Sequence, residues 1–306
     1  MPGSTCPGAG GLRRRAWLAG LLLPAGCAVN DDRDHLGANV PATGPLPRPV
    51  RTAWVFSSGG PRAFVHVGVV KALDEMQLKP DLIVGASAGA LVAVLFAGGM
   101  RAAAMEALAL DLPVMRLMRL SIGGTQRLSG DGVADFVRDE LRQLGQLGSP
   151  PLLDKLPLMV ACVSQRLTDG AAVAFTRGDA GLAVQAAAAI EGQFTPVRIQ
   201  GQRYADADLA QPLPVRLARA LGAQRVLAVD ASAHEDRAPP GAVSYRASDL
   251  RKRALTQPDA QLADVLLHPE FGYWASTSPE YRQRCIAAGY RDTLAAAPRI
   301  KALHAA

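Results

Sequence analysis

"DLIVGASAGALVAVLFAGG", residues 81–99, places one serine, Ser87, between two runs of apolar residues. The first, "DLIVGA" at residues 81–86, is short and rich in branched side chains, which reads as a buried strand. The second, Ala88 to Ala97, is longer and reads as a buried helix. Between them Gly85-Ala86-Ser87-Ala88-Gly89 fits Gly-x-Ser-x-Gly. A sharp strand-to-helix turn holds its serine in a strained conformation, so the residues two places away on either side must lack side-chain bulk. Such a turn also sets Ser87 at a helix N-terminus, where unpaired N–H groups and the helix dipole favour a developing oxyanion. Ser87 is therefore read as a nucleophile, against the plainer reading of a tight helix start with an idle serine.

Working outward, short apolar runs alternate with helical patterns. That alternation is the signature of an α/β fold with a mainly parallel sheet flanked by helices. Residues 52–57 read as a strand and 62–76 as a helix with Val65, Val69, Ala72, Leu73 and Met76 on one face. Residues 156–163 and 171–175 form one expected hairpin, and 197–206 a second that turns near Gly201. Residues 182–190 read as helix, 225–230 and 263–268 as strands, and 279–297 as a closing helix that stops before Pro298. The stretch 234–260 commits to nothing.

The chain has 306 residues, 49% of them apolar, and a formal charge of +6. That suffices for one large domain or two small ones. Three of the 33 basic residues, Arg13, Arg14 and Arg15, lie in a leader without acids, and the remaining basic residues nearly balance the 27 acidic ones. With no basic stripe interleaved with aromatics, no nucleic-acid partner is expected. Residues 1–27 pair that basic cluster with an apolar run of about a dozen residues and small residues before Cys27. The run is shorter than the ~20 residues a membrane span takes. It reads as an export signal, expected to be of lipoprotein type with lipidation at Cys27. "LPAGC" resembles a bacterial lipobox, although Pro24 stands where leucine is usual. The expected location is the cell envelope, lipid-anchored, with a soluble periplasmic or secreted form as the alternative. Residues 28–50 are polar and rich in Pro and Gly, as in a flexible linker. The folded domain is expected over 51–306. Cys162 and Cys285 fit no metal spacing and read as two buried thiols.

Two further stretches carry chemistry. "SSGGPRAF", 57–64, sets Gly59 and Gly60 between a strand and a helix, a junction whose N–H groups can receive an anion. It is no dinucleotide fingerprint, since the third glycine is missing. "RYADADLAQPLPV", 203–215, offers Asp206 and Asp208 as general-base candidates. His234 and His268 are the rival bases, because a Ser, Asp/Glu, His order would suit an α/β-hydrolase triad. His66 reads as a packing residue. Residues 110–124 interleave Leu, Met and Val with Arg116 and Arg119, and read as an acyl-pocket wall, a lipid-facing surface or a packed cap.

Taken in order, Ser58-Gly59-Gly60-Pro61-Arg62-Ala63, Gly85 to Gly89 and Asp206-Ala207-Asp208 resemble the patatin-like phospholipase family. That family carries Gly-Gly-Gly-x-Arg/Lys-Gly, then Gly-x-Ser-x-Gly, then Asp-Gly-Gly or Asp-Gly-Ala. "FVHVGVVKAL", "GALVAVLFAGG", "AAIEGQFTPV" and "LAQPLPV" extend the likeness over about residues 52–300. The resemblance implies a three-layer α/β/α fold and a Ser-Asp dyad that cleaves lipid acyl esters through an acyl-serine, with no cofactor or metal. Ser87 would be the nucleophile and Asp206 the base. Gly59, Gly60, Arg62 and Ala88 would form the oxyanion hole, with Gly85 and Gly89 at the elbow. The chain departs from the pattern at Ser58, Ala63 and Asp208, and Pro61 has no N–H to give. If the position of Ala63 needs positive φ, alanine there is strained by about 1–2 kcal/mol. The alternatives are a Ser-His-Asp esterase and an envelope protein that keeps the fold without catalysis.

Overall fold

The computed structural model describes residues 29–30, 33–122, 125–145 and 148–305. The leader and Cys27 lie outside the described residues. The strands are β1 (Val29–Asn30), β2 (Asp34–His35), β3 (Thr52–Phe56), β4 (Leu82–Ala86), β5 (Arg119–Ile122), β6 (Leu128–Ser129), β7 (Met159–Arg166), β8 (Ala172–Phe175), β9 (Val197–Ile199), β10 (Gln202–Asp206), β11 (Arg225–Val229) and β12 (Val265–Leu267). The helices are α1 (Phe64–Glu75), α2 (Ala88–Ala97), α3 (Ala102–Asp111), α4 (Asp131–Gln143), α5 (Ala180–Ala187), α6 (Val215–Ala220), α7 (Val243–Ala260), α8 (Pro279–Ala295) and α9 (Ala297–Ala305).

The main sheet runs β12-β11-β3-β4-β7-β10-β9-β2, with β8 also on β7. From β12 to β7 all neighbours are parallel. The β10 pairings with β7 and β9 are antiparallel. Side chains alternate across each strand, and both faces are covered. On β3, Trp54 and Phe56 enter one core with residues of α1, α2, α5 and α8. Ala53 and Val55 face the other core, built with Leu213, Val215 and Ala218 around α6. Burial on both faces is why the parallel strands read as unbroken apolar runs. Helix α2 is buried on nearly every side, as its lack of a polar face requires. Among the described residues no helix is long and apolar enough to cross a membrane.

Helix α1 crosses α8 at close range. A Cβ on Gly68 would strike the carbonyl of Ile286, and one on Gly289 would strike the carbonyl of Val65. Cys162 and Cys285 are both free and buried.

Three expectations need correction. The flexible linker expected over 28–50 gives way, from Asp34 on, to chain packed on the body. β2 pairs in parallel with β9, the Ala42 N–H donates to the Arg177 carbonyl at 3.1 Å, and Val40 and Val50 are buried. Proline and glycine mark irregular backbone there, and the body supplies its hydrogen bonds. The second correction concerns Pro298, which lies in the first turn of α9 instead of beyond the last helix. Proline suits that position because its missing N–H has no partner in a first turn. The third is the uncommitted stretch 234–260, most of which forms α7, with Pro258 inside it.

Candidate active site

Ser87 follows β4 directly and caps α2, with φ 53° and ψ −129°. This is the left-handed strain expected of an elbow. The flanking glycines make it feasible. A Cβ on Gly89 would lie 2.5 Å from the Ser57 carbonyl oxygen, and one on Gly85 would lie 2.5 Å from that of Gly89.

Sheet register brings a carboxylate to Ser87. Ala86 pairs with Val163 on β7, and Asp206, the last residue of β10, pairs with Ser164 one place on. Asp206 thereby arrives beside Ser87, whose Oγ donates to Asp206 Oδ2 at 2.5 Å. The other carboxylate oxygen, Oδ1, accepts the Asp208 N–H at 2.9 Å. Both residues are buried, at 4% exposure each. Burial raises the pKa of Asp206 to about 7, against the opposing pull of the Ser87 hydrogen bond. A carboxylate poised there matches what a general base needs near neutral pH.

The oxyanion candidates differ in what their N–H groups face. Gly60 has φ +53°, and Gly59 is packed so tightly that a Cβ would come within 3.0 Å of the Ala231 Cβ. Ala88 is the first residue of α2, so its N–H has no carbonyl behind it inside the helix. The Arg62 N–H, by contrast, donates to the Gly59 carbonyl at 3.0 Å, and its guanidinium donates to the Tyr273 carbonyl at 2.9 Å. Arg62 therefore pins the turn, and Gly59, Gly60 and Ala88 remain as the candidate donors. Ala63 has φ −64°. It carries no strain, and glycine is not required there.

The histidines are spoken for elsewhere. His234 and His268 stack on each other at 3.8 Å. His268 Nε2 donates to the Ser232 carbonyl at 3.0 Å, and His234 Nε2 lies 3.7 Å from Glu270. Neither hydrogen-bonds Ser87 or Asp206. His66 is buried against Phe56, and its Nε2–H donates to the Ser57 carbonyl at 3.0 Å. Burial lowers its pKa to about 4, so it stays neutral and braces the glycine turn.

A cavity of about 350 Å³ opens from Gly60, Ser87 and Ala88. Its walls are apolar: Leu91 and Leu95 of α2, Met105 and Leu108 of α3, Phe136 of α4 and Val184 of α5. Leu112, Val114, Leu117 and Met118 close one side, which puts these four residues of the 110–124 stretch on the pocket wall, while Leu120 is exposed. The sequence reading missed Lys252, whose ammonium contacts Asp208 at 2.7 Å, and the α3, α4 and α5 wall residues. Their apolar periodicity looks the same whether a helix lines a cavity or fills a core.

A mainly parallel α/β sheet here sets a strained serine beside a buried carboxylate at the mouth of an apolar cavity. The patatin-like phospholipase family model matches residues 54–219, more than half of the chain, and the chain belongs to that family. An uncharacterized NTE family protein of Mycobacterium tuberculosis is 31% identical over 188 residues, covering 60% of this chain and 50% of that protein. The chain thus spans about half the length of this relative. Lysophospholipase NTE1 of Saccharomyces cerevisiae is 25% identical over 190 residues, 60% of this chain and 11% of its own. Among solved structures, VipD from Legionella pneumophila shares the fold with a TM-score of 0.56 at 15% identity, covering 81% of this chain and 66% of that one.

Proposed function

We propose that the protein is a serine acyl hydrolase that cleaves carboxylic esters of lipids through an acyl-Ser87 intermediate. The observation that carries this reading is the 2.5 Å hydrogen bond from Ser87 Oγ to the buried Asp206 at the mouth of an apolar cavity. As Ser87 Oγ attacks the ester carbonyl, Asp206 takes its proton. The N–H groups of Gly59, Gly60 and Ala88 then receive the oxyanion, a type of contact worth about 100-fold or more in rate per donor. Asp206 returns the proton to the departing alcohol. Water, deprotonated by the same carboxylate, then attacks the acyl carbon, the bond to Ser87 Oγ breaks, and Asp206 passes the proton to Ser87 Oγ as the fatty acid leaves. The acyl chain lies in the cavity, whose adaptable Met and Leu walls accept a flexible ligand.

Labelling with a fluorophosphonate, followed by peptide mass analysis, tests the reading. The adduct should sit on Ser87, disappear in Ser87→Ala, and accompany fatty-acid release from phospholipid or lysophospholipid micelles. An unlabelled wild-type protein that releases no fatty acid overturns it. For location, we infer envelope anchoring through an acylated Cys27. Mass analysis of the mature N-terminus checks this, and an unmodified terminus beyond Cys27 overturns it.

A further inference from the structure

Two of the positions where this chain departs from its family's pattern touch each other. Ser58, in the place of the first turn glycine, donates its Oγ–H to Asp208 Oδ1. Asp208, at the third position of the motif, where the family has glycine or alanine, accepts on that same oxygen from Lys252 Nζ at 2.7 Å. Lys252 projects from α7 and also reaches the Ser58 carbonyl at 3.4 Å. Its side chain is only 17% exposed. The Ser58 carbonyl takes a further hydrogen bond from Ser57 Oγ at 2.9 Å.

This network continues into the dyad. Asp208 gives its N–H to Asp206 Oδ1, and Asp206 Oδ2 holds the nucleophile. The contacts therefore run from Lys252 on α7 through Asp208 to Asp206 and Ser87, with Ser58 of the glycine turn joined to them at Asp208. The three side chains depend on one another. Without Lys252, Asp208 would be a second carboxylate beside Asp206 with no counter-charge. Without Asp208, Lys252 would be an ammonium set largely out of water with no partner, a costly state. Ser58 fills the space that a glycine would leave between them and the turn.

We propose that Asp208 and Lys252 are positioning residues for hydrolysis: their ion pair ties the oxyanion turn at Ser58–Gly60 to the turn that carries Asp206. The proposal rests on the Ser87–Asp206 reading above. A positioning role of this kind also has an electrostatic signature. The charged groups acting on Asp206 include Asp208, which raises its proton affinity, and Lys252, which lowers it. Removing one charge or the other should thus move the pH profile in opposite directions, whereas simple loosening of the fold has no reason to do so.

The experiment uses the full chain, a soluble short-chain 4-nitrophenyl ester, and the variants Lys252→Met, Lys252→Arg and Asp208→Asn. Lys252→Met should lower kcat by about ten- to hundredfold, the scale of a small misplacement, with KM within about twofold of wild type. Its kcat/KM midpoint should move to higher pH. Asp208→Asn should move that midpoint to lower pH, and Lys252→Arg should restore most of kcat. Wild-type kcat and midpoint in Lys252→Met, no rescue by arginine, or midpoint shifts of the same sign in the two charge-removing variants would each overturn the proposal. If Lys252→Met proves insoluble, the direction of the Asp208→Asn shift decides alone. Wild-type protein that neither hydrolyses esters nor labels at Ser87 overturns the hydrolase reading and this one together. An active wild type indifferent to the substitutions overturns this one only.

Discussion

Ser87 is held at a backbone conformation that costs about 1–3 kcal/mol, which the packing of β4 and α2 sustains. Ser87→Ala should lower ester hydrolysis by about a thousandfold or more while changing stability by only about 1 kcal/mol, measured by urea unfolding. Asp206 binds its proton more tightly in the fold, at a pKa of about 7 against an ordinary 3.8. As a base it must be ionised, so kcat/KM should rise with pH through a midpoint near 7. Stability runs the other way. The folded state binds the extra proton between these two values, so this contribution is complete below the lower one and is lost as pH rises through the upper one. Asp206→Asn should therefore be inactive and lose less stability than wild type between pH 5 and pH 8. At Ala63 the right-handed φ of −64° removes any reason for glycine. Ala63→Gly should leave kcat unraised and cost up to about 1 kcal/mol of stability through added chain freedom.

Among the elements, the α1–α8 crossing sets the position of the oxyanion turn, because α1 begins just after Arg62 and Ala63. Gly68 and Gly289 let the two backbones meet, with the carbonyls of Ile286 and Val65 where side chains would otherwise be. Gly68→Ala or Gly289→Ala should force the helices apart and destabilise the fold by about 1–3 kcal/mol or more, visible as a lower Tm. The pairing of β10 with β7 is the other decisive element contact. A slip of one residue would turn Asp206 to the opposite face of the sheet and leave Ser87 without its base.

At the scale of the molecule, the cavity forms where α1, α2, α3, α4 and α5 converge near Ser87 with Leu112, Val114, Leu117 and Met118. Filling it should change substrate preference without touching the dyad. Leu108→Trp is expected to raise KM several-fold for long-chain esters and leave a butyrate ester nearly unaffected, measured as the ratio of kcat/KM across a chain-length series. Unchanged selectivity would place the acyl chain elsewhere. The packing of 34–50 against β9 and Arg177 is a second whole-molecule feature, and it makes that stretch part of the domain.

The elbow, the buried parallel strands and the two buried thiols were legible in the residues themselves, because each follows from local sterics or from an apolar run that admits few conformations. Gly85 and Gly89 announce the turn at Ser87 without help from distant chain. That Asp206, and not His234 or His268, stands beside Ser87 was to be expected only through the resemblance, and its geometric basis lies in a strand register between residues about 40 positions apart. Tertiary structure alone decided that Arg62 spends its N–H on Gly59, that Ala63 sits unstrained, that 34–50 packs, and that Ser58, Asp208 and Lys252 meet. Those last contacts join residues 150 and 44 positions apart. A hydrogen bond of that span leaves no periodicity in the chain, since nothing in the local sequence around Lys252 depends on the carboxylate it will find.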